Sequence, residues 1–297
     1  MSLRPNLFVI GATKCGTTLL HDLLSQHPEV FMSDPKELWH FNRQDFQERE
    51  KAYLSFFDGG SGYAVRGEST PIYSETLVFP HVPAAIHKFS PEAKIIYMVR
   101  EPFSRFRSQW AQTLDNGHWA RLTHYEEKMS TVYQEAVFQH PPFLLSSMYW
   151  TNVCNFRKYF SDEQIKIVFF EDFISDIEGT CADIFTFLGV DDAYCVDRGR
   201  ARQNSSAGKS IYAPTISWYR RIVPEAIRKN VPLGLRRGVR DQVVSLMTPT
   251  FDHADLSPEQ VAEVKQRLEP EVAKLYDYLG IGSDPWQFFG REVKNSN

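Results

Sequence analysis

Residues 7–24 read Leu7-Phe-Val-Ile-Gly11-Ala-Thr-Lys14-Cys-Gly16-Thr17-Thr18-Leu-Leu-His-Asp-Leu-Leu24. A short apolar run suited to a buried strand leads into a loop bounded by two glycines, and an amphipathic helical pattern follows. The loop carries one lysine, Lys14. The start of a helix presents backbone N–H groups without intrahelical partners and the positive end of the dipole, and glycine lets the backbone approach a ligand closely. The stretch is therefore a site for an anionic phosphate group.

Two further apolar runs lie at residues 95–99 and 165–170. Their β-branched, poorly alternating composition suits strands covered on both faces, as in a parallel sheet. Helical patterns follow each run, at residues 17–25, 104–114 and 176–188. Strand then helix, repeated, predicts an α/β fold with a doubly wound, mainly parallel central sheet flanked by helices. Ligands in such sheets bind beyond the carboxyl ends of the strands, where residues 11–18 and 100–108 both fall. Residues 144–160 read as another covering helix, residues 199–210 as a polar, glycine-punctuated loop, and residues 257–279 as a helix opened by Ser257-Pro258-Glu259. With no repeat or linker, the expectation is one domain over residues 1–297. Its core would be residues 5–190, with a late loop and a helical covering segment over residues 191–297.

Composition narrows the function. The 297 residues are 42% hydrophobic, ample for a sizeable core. A net charge of −4 gives no overall attraction to nucleic acid or an acidic membrane, so an anion site has to be local. The four cysteines, Cys15, Cys154, Cys181 and Cys195, show neither a C-x-x-C pair nor zinc spacing. No metal site, nucleic-acid partner or membrane partner is expected. No apolar stretch approaches the roughly 20 residues a membrane span requires, and the expectation is a soluble, cytoplasmic protein.

The loop is P-loop-like with one departure. The nucleoside triphosphatase pattern G-x-x-x-x-G-K-[ST] places lysine directly after the second glycine, followed by the magnesium-binding hydroxyl. Here Thr17 takes the lysine position and the lysine sits inside the loop, at Lys14. The second informative segment runs from Val99 to Trp110. Arg100 closes a buried run and Ser108 lies about two turns into the helix that follows. A guanidinium fork and a hydroxyl suit a second phosphate, although Arg100, Arg105 and Arg107, taken alone, read more readily as a solvated basic face.

Together the two segments resemble the sulfotransferases that use 3′-phosphoadenosine 5′-phosphosulfate (PAPS). In that family a Lys-x-Gly-Thr loop, here Lys14-Cys15-Gly16-Thr17-Thr18, wraps the 5′-phosphosulfate. A strand-ending arginine with a serine eight residues on, here Arg100 and Ser108, holds the 3′-phosphate. Pro35-Lys36-Glu37-Leu38-Trp39-His40-Phe41-Asn42 looks like the Lys-Glu-Pro-His-Phe-Phe-Asp segment of the heparan-sulfate type, and Gly67-Glu68-Ser69-Thr70-Pro71-Ile72-Tyr73 is similar to Gly-Glu-Lys-Ser-Pro-x-Tyr. Ser147-Met148-Tyr149, Phe170-Glu171-Asp172-Phe173 and Phe187-Leu188-Gly189-Val190 resemble the final core block. Leu38, Trp39 and His40 depart from the heparan-sulfate pattern, which argues against a heparan sulfate groove.

The resemblance implies a PAPS-dependent sulfotransferase that releases adenosine 3′,5′-bisphosphate, needs no magnesium, and acts on a hydroxyl, in preference to an amine, of a small-molecule or saccharide acceptor. Lys14 would neutralise charge on the bridging oxygen, with Cys15, Gly16, Thr17 and Thr18 around the 5′-phosphate. Glu37 is the candidate base, against a plain ion pair with Lys36 or Arg43, and His40 and His118 are alternatives. Glu68 is read as orienting a loop, and Ser69 and Thr70 as contacting substrate or capping a turn. Arg202, Gly208 and Lys209 are expected to close over the cofactor, and Trp39, Trp110, Trp119 and Tyr149 to stack on adenine or acceptor, or else to pack in the core. A P-loop kinase or nucleoside triphosphatase and a non-catalytic nucleotide-binding module are the competing functions.

Overall fold

The computed structural model describes residues 3–116, 130, 132–200 and 255–289. Five parallel strands form one sheet: β1 (Leu7–Gly11), β2 (Val30–Met32), β3 (Val65–Ser69), β4 (Lys94–Val99) and β5 (Ile165–Phe169), in the order β2-β3-β1-β4-β5. Leu7, Phe8 and Val9 of β1 and Ile95 to Val99 of β4 have no exposed surface, as their continuous apolar composition requires. The chain lays β2 and β3 on one side of β1 and β4 and β5 on the other. Strand order therefore reverses at β1, and a crevice opens at the carboxyl ends of β1 and β4.

The two strands absent from the sequence reading are β2 and β3. β2 has three residues. β3 reads Val-Arg-Gly-Glu-Ser, a composition that gives no strand signal, yet Glu68 within it has no exposed surface. Its burial depends on the hydroxyls of Tyr53, Thr70 and Tyr73, all outside the strand, which periodicity does not register.

The helices follow the strands. α1 (Thr17–Leu24) leaves the glycine-bounded loop, α2 (Glu50–Leu54) and α3 (Val82–Phe89) flank β3 in sequence, and α4 (Pro102–Asn116) begins just beyond β4. Next come α5 (Tyr133–Gln139), α6 (Pro142–Leu145), α7 (Tyr149–Arg157), α8 (Phe170–Ser175), α9 (Ile177–Leu188) and α10 (Pro258–Leu279). Asp176 caps α9 by accepting from the Gly179 N–H at 2.9 Å. Ser257 and Gln260 cap α10 reciprocally: the Gln260 N–H donates to Ser257 Oγ at 3.3 Å and the Ser257 N–H to Gln260 Oε1 at 3.0 Å. Among the described residues no helix is long and apolar enough to cross a membrane.

The single helix expected over residues 144–160 is broken into α6 and α7. The break falls where two buried ionisable side chains, Glu75 and Arg105, engage serine hydroxyls. Ser146 Oγ donates to Glu75 Oε1 at 2.7 Å, and Ser147 Oγ accepts from Arg105 Nε at 2.7 Å, while Arg105 Nη2 reaches the Phe143 carbonyl. Serine side chains that bond inward compete with helical geometry.

The chain packs as two compact units. Met1–Arg105, Pro142–Asn204 and Ala262–Asn297 form the first, which holds the sheet; Phe106–Pro141 and Ser205–Val261 form the second. In the second unit Trp110 packs on Tyr133 with ring centroids 5.5 Å apart, and Arg107 pairs with Asp255 at 2.5 Å.

Ser147→Ala removes an acceptor from the buried Arg105 guanidinium. The expected cost is about 1–3 kcal/mol, read as a lower urea midpoint at unchanged slope. A wild-type midpoint would show that the guanidinium does not depend on this hydroxyl.

Candidate functional site

The loop after β1 is shaped by close packing on both sides. A Cβ on Gly11, whose φ is 150°, would lie 2.7 Å from the Pro71 carbonyl oxygen, and one on Gly16, at φ 86°, would lie 2.8 Å from the Phe170 ring. Both positions therefore require glycine. Lys14 also adopts a left-handed backbone, at φ 72°. Gly16 is the N-cap of α1, with no side-chain cap and no acidic residue in the first turn. The helix start is thus left for an external anion. The Ala12 N–H, bonded to the Met98 carbonyl at 2.5 Å, fixes the loop to β4.

Arg100 follows β4 directly. Its Nη1 donates to the Lys14 carbonyl at 3.2 Å, and its guanidinium lies over the Phe170 ring, 4.3 Å from the centroid. Among the described residues its buried Nε has no hydrogen-bond partner. The carboxyl ends of β1 and β4 thus bring together the two sequence segments singled out as phosphate sites. Ser108 lies on α4, buried, within the second unit.

Glu37 lies at the same end of the sheet. Its N–H donates to the carbonyl of Ser69, the last residue of β3, at 3.1 Å. Its Oε1 accepts from Lys36 Nζ at 2.6 Å, and the Glu37 side chain keeps 37% of its surface exposed. Glu37 and Trp39 both hold left-handed backbone, at φ 66° and 53°, a conformation that non-glycine residues adopt at a cost. What holds this segment is a buried polar network. The Tyr73 hydroxyl accepts the N–H groups of His40 (3.0 Å) and Phe41 (3.2 Å) and donates to Glu68 Oε1 at 3.2 Å. Glu68 also accepts from Tyr53 at 2.5 Å and from Thr70 at 2.7 Å.

Residues 4–209 match the family described as the sulfotransferase domain. The chain belongs to that family. This sulfotransferase-family chain is 26% identical over 245 residues to carbohydrate sulfotransferase 15 of Mus musculus, covering 63% of this chain and 44% of that protein. It is 24% identical over 166 residues to heparan sulfate glucosamine 3-O-sulfotransferase 5 of Mus musculus, covering 55% of this chain and 47% of the relative. The chain spans less than half the length of these curated relatives. A sulfotransferase from Alicyclobacillus acidocaldarius shares the fold, with a TM-score of 0.65 at 22% identity over 96% of this chain and 99% of that one.

Several expected site residues take other roles. Cys15 has no exposed surface, its Sγ faces the Thr13 carbonyl, its N–H bonds the Ala12 carbonyl, and burial pushes its thiol up to about 12. It shapes the loop from within and offers no donor to a cofactor. Tyr149 is also fully buried, its hydroxyl donating to the Arg100 carbonyl at 2.7 Å, so it braces Arg100 and does not stack on a nucleotide. His40 is stacked on Tyr53 at 3.9 Å, and burial, then the Arg49 and Arg43 charges, lower it to about 4. It is a neutral packing ring, not a surface-reaching base. Ser69 and Thr70 are buried too, Ser69 Oγ paired with His21 Nδ1 at 2.9 Å. Arg100, Arg105 and Arg107 do not form one basic face: Arg105 is fully buried and Arg107 exposed. Arg202, Gly208, Lys209, His118 and Trp119 lie outside the described residues.

The sequence reading missed Tyr53 and Glu75, and it gave Phe170, quoted within the final core block, no role of its own beside Gly16 and Arg100. Glu68 and Glu75 are each pushed up to about 7 by burial, against the pull of their hydroxyl partners. The folded chain therefore holds these protons to higher pH than the unfolded chain, which releases them near 4.5. Their contribution to stability is full below that value and is lost as pH rises toward about 7. A Glu68→Gln, Glu75→Gln double variant is expected to flatten the fall in melting temperature between pH 5 and 7 (an interval of about two units). An undiminished slope in the variant would contradict the assignment.

Proposed function

We propose that this chain transfers the sulfuryl group of PAPS to a hydroxyl, in preference to an amine, of a small-molecule or saccharide acceptor by in-line displacement. The observation that carries the reading is the hydrogen bond from Arg100 to the Lys14 carbonyl, which sets a half-buried guanidinium, its Nε without a partner among the described residues, beside a glycine-bounded loop and an uncapped helix start. This donor set fits a nucleotide with phosphates at two positions. The family and its saccharide-modifying relatives support the sulfuryl class.

Lys14 and the N–H groups of Gly16, Thr17 and Thr18 would hold the 5′-phosphosulfate, and Arg100 the 3′-phosphate. The nucleotide, when bound, supplies a sulfuryl group carried on a phosphate leaving group. The chain's own part is to position the groups and balance charge. Lys14 offsets negative charge within the loop. Glu37 Oε2 takes the acceptor proton, while Lys36 fixes Oε1. The magnesium-dependent kinase and nucleoside triphosphatase reading is not favoured, because Thr17 occupies the lysine position and β4 gives way directly to Arg100.

Adenosine 3′,5′-bisphosphate is expected to raise the melting temperature in the presence of a chelator, and Lys14→Ala to abolish transfer of labelled sulfate to an acceptor panel. A nucleotide response that requires magnesium, or full transfer by the variant, would refute the reading. Glu37→Gln is expected to lower kcat by about 10²–10⁴-fold with nucleotide affinity unchanged; wild-type turnover would remove Glu37 from the role of base.

A further inference from the structure

The turn after β4 is gripped from the C-terminal end of the chain. Glu171, second residue of α8, accepts the Glu101 N–H on Oε1 at 3.0 Å, and its Oε2 accepts from the Trp286 indole Nε1 at 2.9 Å. Glu101 directly follows Arg100, so one carboxylate ties that turn to a tryptophan 185 residues later. Trp286 is itself buried, 7% exposed, among Phe169, Tyr276 and Tyr149, at ring-centroid distances of 5.1, 5.6 and 5.7 Å. Tyr149 is the residue whose hydroxyl holds the Arg100 carbonyl. Trp286 therefore reaches the Arg100 backbone by two routes: through Glu171 to the following N–H, and through the Tyr149 ring to the carbonyl. The Tyr149 hydroxyl also lies within hydrogen-bonding reach of Cys15 in the loop at residues 11–16, whereas the Glu171 route runs through the Glu101 N–H.

We propose that Trp286 and Glu171 are positioning residues that hold Arg100 in register for the nucleotide's 3′-phosphate. The inference deepens the proposed function and rests on its assignment of Arg100. The physical reason is directional. A guanidinium binds phosphate as a planar fork, so a small rotation of the Cα that carries it loses one of two bonds. The Arg100 side chain is set by Phe170 and the Lys14 carbonyl. Its backbone is set by Tyr149 and Glu171, and Glu171 by Trp286.

The test separates the two phosphates. Trp286→Phe keeps the ring packing and deletes the indole N–H. Glu171→Gln keeps the volume and leaves one acceptor where two are used. Wild-type and variant chains are titrated with adenosine 3′,5′-bisphosphate and with adenosine 5′-phosphate, which lacks the 3′ group. Each variant is expected to weaken the bisphosphate about five- to tenfold, the scale of one impaired hydrogen bond to a charged group, and to leave the monophosphate unchanged. The KM for the donor should rise with kcat preserved. Equal weakening of both nucleotides, or no weakening, would overturn the inference, since a general structural role does not distinguish the 3′-phosphate. A wild-type chain that shows no preference for the bisphosphate marks a different failure, that of the Arg100 assignment itself, and the inference falls with it.

Discussion

A guanidinium at the end of a strand buried on both faces has to be satisfied where the strand stops, and the arrangement around it follows from that requirement. Arg100 bonds the Lys14 carbonyl and lies over Phe170. The first contact fixes the loop leaving β1 against the turn leaving β4; the second sets the ring that makes Gly16 obligatory. Reversal of strand order at β1 places these two turns side by side. A donor-rich crevice at the sheet's carboxyl edge then needs no further construction, because the helix start and the arginine are delivered by neighbouring strands.

Glu37 is presented by different means. It does not sit at a strand end but hangs from β3, through its own N–H on Ser69 and through the Tyr73 hydroxyl under His40 and Phe41. Left-handed backbone on both sides of Leu38 shows that this stretch is held against its local preference. The departures from the heparan-sulfate pattern fall on these residues. His40, one of them, turns inward to stack on Tyr53 and so does not line the crevice.

What was legible in the sequence was whatever local pattern encodes. β1, β4 and β5 are continuous apolar runs, and residues 11–18 and Arg100 carry their chemistry in adjacent letters, so strands and phosphate loop were readable. β3 was not, because a Val-Arg-Gly-Glu-Ser strand becomes tolerable in a core only through hydroxyls brought by Tyr53, Thr70 and Tyr73. The break between α6 and α7 was hidden for the same reason, since Ser146 and Ser147 answer to Glu75 and Arg105, about 70 and 40 residues away. Cys15, His40 and Tyr149 carry reactive or aromatic groups in promising segments, and only packing reveals that those groups face inward.

The Glu68 network also changes what counts as a mild substitution. Tyrosine and phenylalanine are near equivalents at a ring such as Tyr159, which is 43% exposed. At positions 53 and 73 they are different residues, because the hydroxyl there is what allows a carboxylate to occupy the centre of a sheet. Variation that a hydrophobicity scale scores as silent is therefore restricted at these two rings, and the restriction belongs to a glutamate on another element.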